Sequence, residues 1–262
     1  MLQSAVSLVE IMAIIIKNDE EIELMRKAGE ILAKVHEELG AFLKAGISTK
    51  DVDTYCEERI RSYGCIPSFL GYAGYPASVC VSVNEEVIHG IPRSDKILKE
   101  GDLVSLDTGV IYKGYQSDAA RTHIIGKTTK EREELVRVTE GSFFAGLKEA
   151  REGRNLYDIS AAIDAYIRPH GFGIVRDFTG HGIGKDMHED PYIPNYRKLT
   201  RGPKLKRGMT LAVEPMVNLG TWKVGILEDE WTVVTLDMKA SAHYENTILI
   251  TDGDPEILSL KG

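Results

Sequence analysis

Gly101-Asp-Leu-Val-Ser-Leu-Asp107 and Gly208-Met-Thr-Leu-Ala-Val-Glu214 decide the fold. Each opens on glycine, runs through an apolar stretch of strand character and ends on a carboxylate, and the second lies 107 positions after the first. The same shift, without gaps, lays Gly46 on Gly153, Asp51 on Asp158, Val52 on Ile159, Ile60 on Ile167, Arg61 on Arg168 and Gly64 on Gly171. Two amphipathic helix pairs can resemble each other by chance. One shift that fits two separate segments instead marks an internal duplication, with two helices followed by strands in each half.

Working outward, Asn18 and Glu21 make a capping-box start. Ile22, Met25, Ala28, Leu32, Val35, Leu39 and Phe42 then recur at helical spacing, which predicts a long helix ending near Gly46. A second helix runs from Ser48 or Thr49 to Gly64. In the later half, helices are expected over about 130–151 and 158–167, closed by Gly153 and by Pro169 and Gly171. Strands are expected at 78–83, 103–107, 116–125, 210–214, 231–235 and 247–250, where β-branched and apolar residues gather. Helices precede strands rather than alternate with them. The fold class is therefore α+β, with an antiparallel sheet covered by helices on one face. No linker separates the halves, so residues 18–262 are expected to form one domain, with halves at about 18–126 and 127–262. Residues 1–17 read as an extension: Ala13–Lys17 as a strand or extended arm, Met12-Ala13 as a natural start, and 1–11 as an added segment. The first basic residue, Lys17, follows the apolar run, which is the reverse of a signal peptide.

Of 262 residues, 43% are hydrophobic and 27% charged, which excludes a disordered chain, a collagen-like fibre and a multi-span membrane protein. With 32 basic and 40 acidic residues the formal charge is −8, which argues against chain-wide attraction to nucleic acid and leaves a local basic patch open. Cys56, Cys65 and Cys80 are too few for a disulfide framework, so a reducing cytoplasm is the expected location.

Asp107 and Asp118 flank a turn at Lys113-Gly114 and read as facing positions on a hairpin, within one residue of register. Two close carboxylates in apolar surroundings repel unless a cation lies between them. Gly180-His181-Gly182-Ile183-Gly184 followed by His188 reads as a glycine-rich loop presenting one ligand histidine and one supporting histidine; its spacing is not that of a helical HExxH motif. Glu214 ends an apolar strand and Glu245 enters another. Four carboxylates and one imidazole suit two hard or borderline divalent ions such as Co, Mn, Fe or Zn, and do not suit a thiolate-rich structural zinc site. His89, followed by glycine and then Ile91-Pro92, reads on its own as an exposed loop residue.

Together these motifs resemble methionine aminopeptidase of type I. They are Asn84-Glu-Glu-Val-Ile-His-Gly-Ile-Pro92, Asp107 with Asp118, Gly180-His-Gly-Ile-Gly184 with His188, Glu214-Pro215 and His243-Tyr-Glu-Asn-Thr247. The resemblance covers about Asn18 to Leu258. Only 25 residues lie between His188 and Glu214, so the large type II insertion is missing, and the chain is similar to the short bacterial form. The resemblance implies the pita-bread fold, a pseudo-twofold α/β arrangement that agrees with the 107-residue shift. It also implies removal of the initiator methionine from nascent chains with a small second residue, by a hydroxide bridging two metals. Asp107 would then chelate one metal, Asp118 and Glu245 would bridge both, and His181 and Glu214 would complete the second. Glu214 would shuttle a proton. His188 would bond the scissile carbonyl oxygen or the developing oxyanion, and His89 the scissile nitrogen or leaving amine. Tyr72, Tyr75, Cys80 and Trp231 match the family's methionine pocket, with Phe69 and Met187 nearby. Many relatives have cysteine in place of Phe69 and an aromatic in place of Met187.

Arg197, Lys198, Arg201, Lys204, Lys206 and Arg207 place six basic residues in eleven. They read as a solvated loop, or as a contact to ribosomal RNA near emerging nascent chains. A monomer without membrane attachment is expected. Three competitors remain: a peptidase of the same fold cleaving before proline, a non-catalytic binding protein of that fold, and metal-dependent hydrolysis of another bond such as a phosphoester, which would want more basic groups near the site.

Overall fold

The structure is a computed structural model that describes residues 13–261. The expectation for residues 1–11 lies outside the described residues. The first half comprises α1 (Asp19–Phe42), α2 (Thr49–Ser62), β1 (Ile66–Pro67), β2 (Cys80–Val83), β3 (Glu86–Ile88), β4 (Leu103–Tyr112) and β5 (Tyr115–Ile124). The second comprises α3 (Lys130–Leu147), α4 (Leu156–Ile167), β6 (Gly173–Ile174), β7 (Gly180–Gly182), β8 (Glu189–Ile193), β9 (Thr210–Val213) and β10 (Met216–Asn218). It continues through β11 (Val224–Ile226), β12 (Val233–Thr235), β13 (Ser241–His243), β14 (Glu245–Leu249) and β15 (Glu256–Ile257).

Capping chemistry sets the helix starts. The Asn18 side chain accepts from the Glu21 amide and the Glu21 carboxylate accepts from the Asn18 amide, and Ser48 with Asp51 repeats the reciprocal pair. Ahead of α4 the Asp158 carboxylate accepts from the Asn155 amide, which is why α4 begins at Leu156, two residues before its expected start. α1 stops at Phe42 and α3 at Leu147, each about four residues short of the expected end.

The duplication holds at the level of backbone. Gly46 and Gly153, Gly64 and Gly171, and Gly101 and Gly208 all adopt positive φ in matched pairs (93° and 81°, 74° and 75°, 90° and 85°). Gly46 N–H donates to Leu98 and Leu98 N–H to Ile47; 107 residues later Gly153 donates to Leu205 and Leu205 to Arg154. The cores match too. Val52, Cys56, Ile60, Leu98, Val104 and Leu106 are buried under α1 and α2, and Ile159, Ile163, Ile167, Leu205, Leu211 and Val213 under α3 and α4.

The halves share one antiparallel sheet in the order β1-β4-β5-β14-β9-β7-β8, with β2 also on β4 and β15 on β14. The chain is thus α+β as expected, with the pita-bread architecture. One local expectation changes, and of the strand and the extended arm expected near the N-terminus the structure has the arm. Gly180–Gly182 is a strand rather than a loop. A Cβ on Gly180 would lie 2.4 Å from the Ala212 carbonyl oxygen and one on Gly182 2.3 Å from that of Asp190, so glycine here permits close strand packing. Residues 13–18 form an extended arm with no strand pairing, anchored where Lys17 N–H donates to Gly208 and its ammonium pairs with buried Glu189. No helix among the described residues is long and apolar enough to cross a membrane.

Candidate metal centre

Sheet register brings the acidic residues together. Cys80, Asp107, Ala120 and Glu245 occupy one cross-strand row on β2, β4, β5 and β14. Asn246 faces Val213, so the next pair along sets Glu245 opposite Glu214, just past β9. Partners across an antiparallel ladder share a face, and so do residues two apart. Asp118 lies two residues before Ala120. His181 on β7 faces Ala212, two before Glu214. Five potential ligands from five neighbouring strands therefore project from one face.

The hairpin register corrects the sequence expectation. Lys113 and Gly114 both have positive φ (49° and 86°), the two-residue I′ loop that pairs Tyr112 with Tyr115. Asp107 then faces Ala120 and Asp118 faces Gly109. The aspartates are diagonal neighbours, a step that leaves both on the same face.

Asp107, Asp118, His181, Glu214 and Glu245 are all at least nine-tenths buried. Oδ1 of Asp107, Oδ1 of Asp118 and Oε1 of Glu245 have no hydrogen-bond partner. Donor atoms of Asp118, His181 and Glu245 lie within 4.8 Å of one another. His181 Nδ1 donates to the Gly182 carbonyl at 2.8 Å, which leaves the Nε2 lone pair free, 3.6 Å from Glu214 Oε1 and 3.9 Å from Asp118 Oδ2. Burial pushes the Asp118 carboxyl up to about 7. Burial, reinforced by neighbouring carboxylates, pushes Asp107, Glu214 and Glu245 well up. Burial pushes His181 down to about 3, so its imidazole is neutral. Orphaned acid oxygens beside a neutral imidazole lone pair fit a divalent cation, whose binding replaces the protons these groups otherwise retain.

A cavity of about 140 Å³ opens above this face. All twelve candidate residues of the sequence reading line it, and Met187 joins them: Phe69, Tyr72, Tyr75, Cys80, His89, Asp107, Asp118, His181, His188, Glu214, Trp231 and Glu245. Its apolar end is a cluster of Tyr75, Ala77 and Cys80 with Phe69, Ile91 and Trp231. Tyr75 meets Trp231 edge-on at 5.1 Å and donates its hydroxyl to the Gly90 carbonyl at 3.0 Å. Met187 packs over Gly109, where an added Cβ would lie 3.0 Å from the Met187 methyl carbon.

His89 is not the exposed loop residue its local sequence implied. It is half-buried with φ 59°, edge-on to Phe178 at 5.8 Å and Trp231 at 6.1 Å, and burial pushes it down to about 4. The sequence reading gave Phe178 no part. It also gave no role to His243, which is fully buried with Nε2 3.8 Å from Glu214 Oε2 and 4.0 Å from Glu245 Oε2. The signal was available, since His243 stands two residues before Glu245 and so at the same strand phase.

Comparison with known proteins gives a consistent picture. Residues 23–252 match the model of metallopeptidase family M24. The chain is 53% identical over 247 residues to a methionine aminopeptidase of Clostridium acetobutylicum, covering 94% of this chain and 99% of that one. It is 49% identical over 246 residues to methionine aminopeptidase 1 of Bacillus subtilis, with the same coverages. The crystal structure of a methionine aminopeptidase from Thermotoga maritima superposes with a TM-score of 0.93 at 45% identity, over 95% of this chain and all of that one.

Proposed function

The chain belongs to metallopeptidase family M24, and from that premise we propose that it removes the N-terminal methionine of newly made polypeptides whose second residue is small. The observation that carries this reading is the juxtaposition of five buried ligand-type side chains with an apolar, aromatic-walled cavity of about 140 Å³. Asp107, Asp118, His181, Glu214 and Glu245 would hold two divalent ions drawn from Co, Mn, Fe or Zn. Asp118 and Glu245 would contact both, Asp107 the first, and His181 with Glu214 the second. When bound, such ions supply Lewis acidity that ionises water and stabilises negative charge on oxygen.

The protein's own residues do the rest. Phe69, Tyr75, Cys80, Trp231 and Met187 enclose the unbranched methionine side chain and leave little room for a branched one. The acidic floor receives the free α-amine, which restricts cleavage to the first bond. His188 donates to the scissile carbonyl oxygen as it gains charge. Glu214 holds the proton released by the attacking water and returns it to the leaving amine, and His89 lies against that nitrogen.

The reading extends to the setting. Action on nascent chains supports a cytoplasmic location. Arg197, Lys198, Arg201, Lys204, Lys206 and Arg207 are all exposed beside fully exposed Leu199, a surface suited to ribosomal RNA. The test is metal-reconstituted hydrolysis of Met-Ala-Ser against Ala-Pro peptides, with Asp107→Ala and Glu214→Ala. Wild type is expected to release methionine and both variants to lose nearly all turnover; full activity in either variant removes the site. Charge reversal at Lys204 and Lys206 that leaves ribosome co-sedimentation unchanged removes the RNA contact.

A further inference from the structure

The two tyrosines of Tyr72-Ala-Gly-Tyr75 do different work. Tyr75 is buried and belongs to the apolar cluster at the pocket's end. Tyr72 is 42% exposed, stands outside that cluster, and its hydroxyl meets Nδ1 of His188 at 2.8 Å. That contact joins residues 116 positions apart, one between β1 and β2 in the first half and the other between β7 and β8 in the second. Backbone bonds hold the turn that carries Tyr72: Tyr72 N–H donates to Phe69, Tyr75 N–H to Tyr72 and Gly71 N–H to Tyr75. Positive φ at Gly71, Ala73 and Gly74 (83°, 47° and 90°) gives the turn its shape. The hydroxyl is therefore presented by a defined loop.

We propose that Tyr72 is a positioning residue: its hydroxyl donates to Nδ1 of His188 and so fixes both the orientation and the tautomer of that imidazole, leaving an Nε2–H donor on the ring edge that faces the reacting carbonyl. The direction of the bond follows from basicity. The bare nitrogen of a neutral imidazole is a far better acceptor than a phenol oxygen, and the phenol is the better donor. With Nδ1 occupied as an acceptor, the ring's one proton resides on Nε2. The ring lies 4.2 Å, centroid to centroid, from His181, itself one of the candidate ligands, so a donor there stands beside the cation site. The opposite tautomer would present a lone pair to an oxygen that is gaining negative charge, and would oppose the reaction. Among the described residues the Tyr72 hydroxyl is the sole hydrogen-bond partner of the His188 side chain.

This inference rests on the peptidase reading for its kinetic consequence, but its structural core is measurable independently. The test is Tyr72→Phe in the metal-loaded protein, which removes one oxygen and keeps the ring. Histidine side chains are labelled with ¹⁵N and the His188 signals are assigned with a His188→Gln variant. Long-range ¹H–¹⁵N correlation is expected to show wild-type His188 as a single Nε2–H tautomer with a hydrogen-bonded Nδ1. In Tyr72→Phe the Nδ1 signal is expected to shift and the second tautomer to appear. On Met-Ala-Ser, kcat should fall about fivefold or more, as for a weakened donor to a developing oxyanion, while KM stays within about twofold because the pocket wall is intact. A wild-type His188 protonated on Nδ1, or a Tyr72→Phe enzyme with unchanged His188 signals, overturns the proposal, and so does an unchanged kcat. A wild-type protein that shows the expected tautomer yet releases no methionine would instead refute the peptidase reading.

Discussion

Without bound metal, this protein should lose stability as pH rises above neutrality. Asp107, Glu214 and Glu245 are buried with carboxyls pushed well above their ordinary range by burial first and by neighbouring carboxylates second. In the unfolded chain each ionises near pH 4. A carboxyl protonated when folded and ionised when unfolded favours unfolding by about 1.4 kcal/mol for every unit of pH gained. Asp118, at about 7, contributes over the lower part of the window and little above pH 8. Histidines act in the opposite direction and lower down. His181 and His243, pushed to about 3 by burial, and His89 and His123, pushed to about 4, are neutral when folded. Their stabilisation is present above the unfolded value of about 6.5 and is lost as pH falls below it. From pH 7 to 8 each histidine opposes the loss from the acids by only about 0.1–0.2 kcal/mol, so the acids dominate. Each proton retained across that unit corresponds to a fall in Tm of roughly 3–6 °C, taking about 2–4 °C per kcal/mol for a chain of this size. The assay is Tm at pH 7.0, 7.5 and 8.0 in EDTA, in saturating manganese, and for Glu245→Gln in EDTA. Manganese should flatten the slope because the cation has already displaced the protons, and Glu245→Gln should reduce it by one proton's share. A flat profile in EDTA, or equal slopes with and without manganese, would refute the account of the site as a set of proton-retaining ligands.

Two further outcomes follow from packing. Lys17→Ala leaves Glu189 buried without its cation and should cost about 3–5 kcal/mol in urea unfolding, with Lys17→Met combined with Glu189→Gln recovering much of it; a loss under about 1 kcal/mol would show that the arm's ion pair is dispensable. Gly182→Ala forces a Cβ to within 2.3 Å of the Asp190 oxygen, so stability should drop by about 3 kcal/mol and metal affinity should weaken as β7 shifts His181, read by urea titration and calorimetry; unchanged affinity would mean that His181 does not depend on the tight contact between β7 and β8.

Much of this protein was legible in one dimension because its signals are local or repeated. Helix starts follow from Asn18 with Glu21 and Ser48 with Asp51, since a capping box spans three residues. The duplication could be read because equal glycines stand where both halves need positive φ. Other features depend on partners distant in the chain. Gly180–Gly182 looks like a loop until β8 and β9 are placed beside it, and His89 looks exposed until Phe178 and Trp231 close on it.

The sequence by itself determined the order of elements, the two matched halves and the kinds of side chain available for chemistry, because propensity, capping and residue type act over a few residues. Only the tertiary structure decided that β14 lies between β5 and β9, and so that Glu245 stands beside Ala120 and Glu214 and on the face shared by both aspartates and His181. Strand order and register are set by which apolar faces are buried together and by a two-residue turn. A slip of one residue in any of these ladders would send a ligand to the opposite face of the sheet.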